Sequence, residues 1–364
     1  MSIPCHDIAL HTGRDDKPAN HKSQEFSSSI SLMTSQPATA MPQSPTEHVA
    51  LIGLGAIGIS FAALYLRYTE GSVSVYDTRP DLEEHLSSVL PGYINSHHTS
   101  LEISHLRESG RLKICSSLEE ACHIATIVQE QGPESLSFKR SIWPKIESAS
   151  PINAHFWSST SGIAASLQNQ DMIDKTRLLI VHPFNPPHIL PLLEIVPSPT
   201  TNPTEVDFAK RFFTDLDSGH RPVVIRKELP GFVGNRLAFA LLREACSLVQ
   251  QDVVSVQDLD TIMEASLGPR WAVQGVFKSY NQGGGVTGIE AFLNNLSGTI
   301  QNIWDSSEPV SFAHASTDSS QRDNRGGWEK KIVEQTVEAY GMPSPEQFQE
   351  RDVKLRKVLE AQKK

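Results

Sequence analysis

Residues 48–58 read His48-Val49-Ala50-Leu51-Ile52-Gly53-Leu54-Gly55-Ala56-Ile57-Gly58. A short apolar run leads into the pattern G-x-G-x-x-G, and a helical pattern of apolar residues follows at 59–68. This order predicts a strand, a tight turn and a helix. Gly53 permits the turn, Gly55 lets a phosphate approach the backbone, and Gly58 lets the helix pack closely on the strand. The free N–H groups that begin the helix then attract the phosphate.

An acidic residue after the next strand indicates what the glycine loop binds. Val73–Tyr76 forms a second strand pattern, and Asp77 comes 19 residues after Gly58. A carboxylate at this point accepts hydrogen bonds from an adenosine ribose and repels a 2′-phosphate, which favours NAD over NADP. Arg79 lies close by and weakens this preference slightly. The alternative is a glycine-rich turn and a surface aspartate in another α/β fold. The candidate cofactor-binding residues are Gly53, Leu54, Gly55, Ala56, Ile57, Gly58 and Asp77.

Strand and helix patterns alternate further along the chain. Strand patterns occur at 112–114, 124–128, 155–157 and 178–181, and helical patterns occur at 117–122 and 134–147. This alternation predicts an α/β Rossmann fold with a doubly wound, mostly parallel sheet. We predict a disordered tail at 1–47, an NAD-binding Rossmann domain at 48–229, and an all-α C-terminal domain at 230–364 with a polar loop at about 306–327.

The composition excludes several other classes of protein. The 364 residues carry 32 Lys and Arg against 42 Asp and Glu, a net charge of −10, with no basic block, so we expect no nucleic-acid partner. No run of about 18 apolar residues exists, so we expect no membrane partner. The cysteines lack C-x-x-C spacing and no acidic or histidine cluster has metal-ligand spacing, so we expect no bound metal.

The tail and the cysteines also bear on the compartment. Residues 1–47 are rich in Ser and Pro and lack the apolar segment of a secretory signal. Asp7, Asp15 and Asp16 argue against a mitochondrial leader, which is poor in acidic residues. Few, scattered cysteines are typical of a reducing compartment, so we expect a cytoplasmic protein.

A histidine and a glutamate form the first candidate catalytic pair. His182 follows the strand pattern at 178–181, at the edge where open α/β sheets bind ligands, and an imidazole accepts a hydroxyl proton near neutral pH. Glu194 lies inside the apolar run 192–196, where an unpaired carboxylate is costly. A pair between them offsets that cost and fixes the imidazole tautomer. Taken singly, His182 also fits a packed histidine, and Glu194 also fits an ion pair with an arginine.

A run of hydroxyl side chains follows the strand pattern at 155–157. It reads Ser158-Ser159-Thr160-Ser161. Hydroxyl groups at this edge can hold a substrate oxygen, or they can cap the helix expected to follow Gly162. The run alone favours the cap.

With these motifs, the sequence resembles the 3-hydroxyacyl-CoA dehydrogenase family. Within that family it is most similar to the lambda-crystallin (L-gulonate 3-dehydrogenase) and carnitine dehydrogenase branches. The resemblance covers about residues 48–305. Besides the run at 158–161, its motifs are His182-Pro183-Phe184-Asn185-Pro186-Pro187, Pro191-Leu192-Leu193-Glu194-Ile195-Val196 and Pro230-Gly231-Phe232-Val233-Gly234-Asn235-Arg236-Leu237. It implies an NAD-dependent oxidoreductase that oxidises the 3-hydroxyl of an L-3-hydroxy acid or a 3-hydroxyacyl-CoA.

The resemblance also implies roles for single residues. His182 matches the catalytic base, and Glu194 matches the carboxylate that orients it. Ser161 matches the serine that contacts substrate and nicotinamide, and Asn235 matches the asparagine that holds the substrate oxygen. Four further residues match cofactor-contacting positions: Asp77, Glu134, Lys139 and Asn185.

The region after Pro230-Gly231 carries a helical pattern at 232–249. In the family this domain is helical and forms a homodimer, although the apolar stripe in this chain equally fits ordinary core packing. Arg270 lies in a segment that looks more like the carnitine and gulonate branches than the fatty-acyl branch. Its guanidinium can pair with a substrate carboxylate or with a structural acidic residue.

The segment 80–110 bears on the substrate. Fatty-acyl enzymes of the family carry a lysine-rich helical arm here that helps bind CoA, whereas this segment holds Arg107, no lysine and several acidic residues. Fewer cations weaken the attraction for a phosphorylated CoA, which favours a small hydroxy acid without excluding a thioester. An alternative reading of the whole chain is a non-catalytic, NAD-binding structural protein like the crystallins.

Overall fold

One eight-stranded sheet organises the residues that this computed structural model describes, namely 46–94, 102–312 and 327–363. The strand order is β3-β2-β1-β4-β5-β6-β7-β8. The strands are β1 (Val49–Ile52), β2 (Val73–Tyr76), β3 (Leu112–Ile114), β4 (Ile127–Glu130), β5 (His155–Ser158), β6 (Leu178–Pro183), β7 (Leu192–Pro197) and β8 (Arg221–Val224).

Helices connect the strands and then make up the rest of the chain. Up to β8 they are α1 (Ala56–Tyr68), α2 (Leu82–Ile94), α3 (Ile103–Glu108), α4 (Leu118–Cys122), α5 (Leu136–Ala149), α6 (Ala165–Gln168) and α7 (Pro203–Asp215). After β8 they are α8 (Gly234–Gln250), α9 (Val256–Ile262), α10 (Gly268–Val273), α11 (Val276–Gly283), α12 (Gly288–Asp305), α13 (Gly327–Tyr340) and α14 (Pro345–Ala361).

The direction of the strands defines the ligand-binding edge. Every neighbouring pair among β1 to β6 is parallel. The order reverses at β1, which lies between β2 and β4, so the carboxyl end of β1 is the switch point where such sheets bind ligands. The predicted Rossmann sheet followed by a helical region is therefore confirmed.

Two further strands, β7 and β8, extend the sheet beyond the six parallel strands β1 to β6. Strand β7 pairs antiparallel with β6, and β8 pairs parallel with β7. The apolar run of β7 does not reveal a strand's direction, so this extension was not predictable from the sequence pattern. The strand predicted at 124–128 begins three residues later, at Ile127, because Thr126 precedes the ladder and donates its N–H to the His48 carbonyl.

Two apolar cores lie on opposite faces of the sheet. One packs α1, α2 and α7 against one face, and the other packs α4, α5 and α6 against the other. Burial on both faces explains why β1 and β6 read as continuous apolar runs. The cores hold the sheet rigid, and its carboxyl edge carries the candidate site.

The helices that follow β8 bury far fewer of their residues than the helices around the sheet. Their described residues form no strand, and α9 to α14 contain no buried residue. On α8, Cys246 and Val249 are buried, but Leu237 is 64% exposed and Phe239 is 60% exposed. The apolar stripe of α8 thus packs internally only at its carboxyl end.

Two of the predicted features concern residues outside the described ranges. The predicted disorder of the tail falls almost entirely on residues 1–45, and most of the predicted polar loop falls on 313–326. Within the described ranges, none of the helices combines the length and apolar character needed to cross a lipid bilayer. The predicted domain boundaries stay predictions.

We expect the stability of the fold to fall below neutral pH because of His220. Burial lowers the pKa of His220 to about 4, although a hydrogen bond to the Pro187 carbonyl partly raises it. The unfolded chain therefore binds a proton that the folded chain does not, and the free energy of unfolding falls by up to about 1.4 kcal/mol per pH unit between about 6.5 and 4. His188, whose pKa is lowered to about 3, adds to the same trend.

The variant His220→Gln tests this expectation. Between pH about 7 and about 5 it should lose about 2 kcal/mol less stability than the native protein, measured by urea unfolding. The control is His123→Gln, which alters an exposed histidine at the end of α4. Equal losses in the two variants would contradict the assignment to His220.

Candidate active site

The glycine loop between β1 and α1 forms an open cradle. Gly53 has φ +98°, and a Cβ there would lie 2.9 Å from the Gln131 carbonyl carbon. A Cβ on Gly58 would lie 2.0 Å from the Gly53 carbonyl oxygen. A Cβ on Gly55 would meet nothing within 4 Å. Two glycines are thus required by packing, and the third leaves space for a ligand against the backbone.

A cavity of about 750 Å³ continues from this cradle. Asp77 lines it and accepts hydrogen bonds from the backbone N–H of Leu54 (2.6 Å) and of Arg79 (2.9 Å). The Arg79 guanidinium is paired with Asp81 at 2.8 Å. The acidic group at the end of β2 therefore faces the cavity, while the nearest arginine is engaged elsewhere.

Gln131 gives independent evidence that a polar ligand fits this cavity. Its side chain lines the wall, and its buried amide oxygen and nitrogen have no hydrogen-bond partner within the described ranges. Buried polar atoms are rarely left without a partner. Together with the space above Gly55 and the carboxylate of Asp77, this amide makes the cavity suited to a dinucleotide.

The register between β6 and β7 places His182 directly opposite Glu194. The imidazole Nδ1 lies 2.8 Å from Glu194 Oε2, and both residues are buried, with exposures of 4% and 2%. A carboxylate only accepts hydrogen bonds, so Nδ1 carries the proton that it donates. This leaves the lone pair of Nε2 to act as a base.

Backbone N–H groups hold the other oxygen of Glu194. Val233 and Gly234 donate to Oε1 at 3.0 and 2.9 Å. Burial opposes ionisation of Glu194, but the hydrogen bonds from His182 and from these N–H groups outweigh it and lower the pKa of the carboxyl. Among the described residues, no arginine forms an ion pair with Glu194, which was the alternative from the sequence.

Phe232 sets the geometry of that turn. It has φ +51° while fully buried, a strained conformation for a bulky residue. The centroid of its ring lies 5.5 Å from that of the His182 ring, and the centroid of the Phe184 ring lies 5.0 Å from that of His182. A Cβ on Gly234 would lie 2.1 Å from Phe184, so only glycine fits here. The two rings fix the imidazole plane.

Glu134 organises the loop after β5. Its Oε1 accepts hydrogen bonds from the N–H and the hydroxyl of Ser161, at 3.0 and 3.3 Å, and from the hydroxyl of Thr160. Thr160 in turn accepts the N–H of Ile163 at 3.1 Å. The turn-capping role therefore falls to Thr160, while Ser161 stays exposed at the sheet edge.

Asn235 brings the helical region to the same edge. It lies in the first turn of α8, and its side-chain nitrogen donates to the Ser161 carbonyl at 3.0 Å. The Pro230–Gly234 turn therefore contributes both the N–H groups on Glu194 and the amide beside Ser161. Ser161, His182, Glu194 and Asn235 are linked through this turn.

The remaining predicted residues are placed as follows. Leu54, Ala56 and Ile57 lie in the glycine loop and the first turn of α1. Asn185 is exposed in the loop after β6. Arg270 is exposed on α10, and no described residue forms an ion pair with it. The structure does not bring Arg270 into the cluster around His182.

Lys139 is buried and does not line the cavity of the glycine loop. Its ammonium lies 2.8 and 2.9 Å from the two carboxylate oxygens of Glu130, and both side chains are at most 1% exposed. Glu130 also accepts the N–H of Gly132. Lys139 itself donates to the Gly132 carbonyl at 3.2 Å, so the pair of Lys139 and Glu130 holds the loop after β4. Glu130, which ends the parallel strand β4, was not predicted from the sequence.

No group of three or more possible metal-ligating side chains occurs in 46–94, 102–312 or 327–363. The donor set of the site is instead an imidazole, carboxylates, amides and hydroxyls. Such a set moves a proton and holds an oxygen.

Two family profiles match the chain. That of the 3-hydroxyacyl-CoA dehydrogenase NAD-binding domain matches residues 48–229, half of the chain, and that of the C-terminal domain of the same family matches residues 231–306. The matched segments meet at the Pro230-Gly231 turn.

Characterised relatives span the same region. An L-carnitine dehydrogenase of Mesorhizobium japonicum is 35% identical over 256 residues, which cover 70% of this chain and 69% of the relative. A 3-hydroxyacyl-CoA dehydrogenase of Gibberella moniliformis is 36% identical and covers 68% of this chain and 76% of its own. The match spans half the length of an L-carnitine dehydrogenase/betainyl-CoA thioesterase of Rhizobium sp., at 34% identity.

Solved structures share the fold. An NAD⁺-dependent 5-formyl-3-hydroxy-2-methylpyridine 4-carboxylic acid 5-dehydrogenase superimposes with a TM-score of 0.68 at 25% identity, over 87% of this chain and 98% of its own. The (S)-3-hydroxybutyryl-CoA dehydrogenase of Ralstonia eutropha gives 0.54 at 22%, over 61% and 78%. With these matches, the chain belongs to the 3-hydroxyacyl-CoA dehydrogenase family of NAD-dependent oxidoreductases, in the branch that holds the L-carnitine dehydrogenases.

Proposed function

We propose that this protein oxidises the 3-hydroxyl of a small L-3-hydroxy acid, reversibly and with NAD. The observation that carries the proposal is the buried pair of His182 and Glu194, 2.8 Å apart, at the edge of the sheet that holds the glycine loop. NAD, held by the loop at 53–58 and by Asp77, supplies the nicotinamide that accepts a hydride from the substrate carbon.

His182 removes the hydroxyl proton through Nε2. Its Nδ1–H is donated to Glu194, which keeps the ring in the required tautomer and stabilises the imidazolium that forms. Glu194 is ready for this role because the two backbone N–H groups at 233 and 234 hold it ionised. Glu194 is a positioning residue, since it acts through His182.

Ser161 and Asn235 stabilise the oxygen as the proton leaves. Alkoxide character develops on the substrate oxygen, and donors aimed at that oxygen lower the barrier. The Asn235 amide donates one of its two hydrogens to the Ser161 carbonyl and keeps the second for the substrate oxygen. The Ser161 hydroxyl has a single hydrogen, which it donates to Glu134 in this structure, so it rotates from Glu134 to the substrate oxygen when the substrate binds.

A free hydroxy acid fits this chain better than a CoA thioester. The described part of 80–110 carries Arg107, which is paired with Glu83, and no lysine. L-carnitine dehydrogenases among the relatives support the same choice. A 3-hydroxyacyl-CoA is the second candidate, which the Gibberella moniliformis relative favours. The complete cluster around His182 argues against the non-catalytic, crystallin-like reading.

We also propose that the protein is a homodimer, joined through the helices after β8. Leu242 is 54% exposed on α8, Phe277 is 79% exposed on α11, and Trp304 is 68% exposed on α12. Large apolar patches on helices of a folded protein mark interaction sites. A second copy presenting the same faces covers them symmetrically.

Replacing the proposed base should abolish turnover. We expect His182→Gln to lower kcat by about 10²–10⁴-fold, the usual scale for removing a general base, while NAD affinity stays within about twofold. The measurement is NADH absorbance with L-carnitine, L-gulonate, 3-hydroxybutyrate and 3-hydroxybutyryl-CoA. His155→Gln is the matched control, because His155 pairs with Glu205 at 2.6 Å at the start of β5. Native-like turnover in His182→Gln would rule out the proposed base, and silence of the native protein on all four compounds would favour the non-catalytic reading.

The cofactor preference should depend on Asp77. We expect Asp77→Ala to reduce the preference for NAD over NADP by roughly tenfold or more, because it removes a charged hydrogen-bond acceptor and a repulsion against the 2′-phosphate. Binding of both cofactors is measured by protein fluorescence. Glu84→Ala, an exposed change at the start of α2, is the control. An unchanged preference in Asp77→Ala would contradict the ribose role.

The oligomeric state should depend on α8. We expect light scattering after gel filtration to give twice the chain mass of 40.1 kDa. The double variant Phe239→Glu/Leu242→Glu should run as a monomer, because it puts charges into the proposed interface. Ile173→Glu, at a 96% exposed position before β6, should remain dimeric. A native monomer, or a dimeric double variant, would contradict this interface.

A further inference from the structure

A second cavity lies between α2, the loop after β6 and α14. Its volume is about 960 Å³, and its wall includes Ala56 at the start of α1 and Asn185 in the loop. Asn185 follows His182 by three residues, and three residues span at most about 10 Å. The cavity therefore borders the first turn of α1, just after the glycine loop, and one of its lining residues lies within about 10 Å of the proposed base.

The two long walls of this cavity differ in charge. From α2 come the uncharged residues Ser88, Val89, Gly92 and Tyr93. From α14 come three cationic and two acidic residues: Arg351, Arg356, Lys357, Asp352 and Glu360. The cations of the cavity thus come from the last helix of the chain.

Arg351 is held at the cavity by two neighbours on its own helix. Its guanidinium lies 5.4 Å from the centroid of the Phe348 ring, which also lines the cavity, and 2.7 Å from Asp352. Its side chain remains 43% exposed, so a ligand can reach it. Lys357 is also exposed on this wall.

His188 is consistent with a positive potential in the cavity. Its Nδ1 lies 2.7 Å from the Ser60 hydroxyl, which also accepts the His188 backbone N–H. Burial lowers the pKa of His188, and the charges of Arg356 and Arg351 lower it further, to about 3. Burial and the nearby Arg67 likewise lower the pKa of Arg356, although Asp352 opposes this. Like charges meet here, and an anion in the cavity relieves their repulsion.

We propose that this second cavity binds the anionic end of the substrate through Arg351 and Lys357 of α14. The inference rests on the proposed function. It adds a binding site for the part of the substrate that lies away from the reacting hydroxyl. Two groups share the required chemistry, namely the carboxylate of a hydroxy acid and the phosphates of CoA. In either case α14 brings to this cavity cations that α2 does not.

Binding without turnover tests the proposal. Titration calorimetry in the presence of NADH measures the affinity of L-carnitine, 3-hydroxybutyrate and coenzyme A for the full chain. The double variant Arg351→Gln/Lys357→Gln should bind at least one probe roughly tenfold more weakly, since each charged hydrogen bond lost has an effect of this order. The probe that loses affinity identifies carboxylate or phosphate as the anion. Added salt should weaken binding to the native protein more than to the variant.

Lys354→Gln is the matched control. It removes one charge from the same helix, outside the cavity wall, where Lys354 pairs with Glu350 at 2.7 Å. This variant should bind all probes like the native protein. Equal weakening in Lys354→Gln would show a general effect of charge and overturn the proposal.

Three other results would also overturn it. They are failure of the native protein to bind any probe, native affinity in the double variant, and a loss of NADH affinity with unchanged probe affinity, which would assign the cations to the cofactor phosphates. Normal probe binding that depends on Arg351 and Lys357 in a protein without turnover would instead leave this cavity intact and refute the proposed reaction.

Discussion

The hydrogen bond between His182 and Glu194 is the constraint on which the site depends. Two buried ionisable groups are tolerated only when each satisfies the other. The antiparallel register of β6 and β7 puts the two residues directly opposite each other, 2.8 Å apart. The second oxygen of Glu194 then requires donors, and the turn before α8 supplies them from Val233 and Gly234. One carboxylate thereby ties the sheet to the helical region and orients the imidazole.

The need to hold Glu194 explains features of the turn before α8 that are unfavourable for the backbone by themselves. Phe232 adopts a left-handed backbone conformation that a bulky residue avoids, and Gly234 has no room for a side chain against Phe184. Both follow from the need to point two consecutive N–H groups at Glu194 while a ring packs on His182. The same turn starts α8 at the point where Asn235 reaches the Ser161 carbonyl. Local strain in the turn is balanced by the ionised carboxylate that it holds.

The sequence predicted those parts of the site that a local pattern encodes. The glycine loop, Asp77 and the pairing of a strand-end histidine with a buried glutamate each have a residue signature. The donors to Glu194 do not, because a backbone N–H carries no side-chain identity and lies 39 residues away in the chain. The pairing of Lys139 with Glu130 was missed because nothing in a single sequence distinguishes a buried lysine from one that faces a ligand. The start of α14 did have a signature, the capping box of Ser344 and Gln347, but only the structure shows which cavity this helix borders.

The two cavities are formed by different elements of the fold. The cavity of the glycine loop is lined by α4, α5 and the loops at the carboxyl edge of the sheet, and the two packed cores hold these elements in place. The cavity beside α14 is bounded on one side by a helix that contains no buried residue. Changes of charge on α14 therefore disturb neither core, whereas a change at Gly58 or Glu194 disturbs the fold of the sheet edge. With the proposed roles of α14 and His182, the wall that binds the substrate anion can change in charge while the pairing of His182 with Glu194 stays the same.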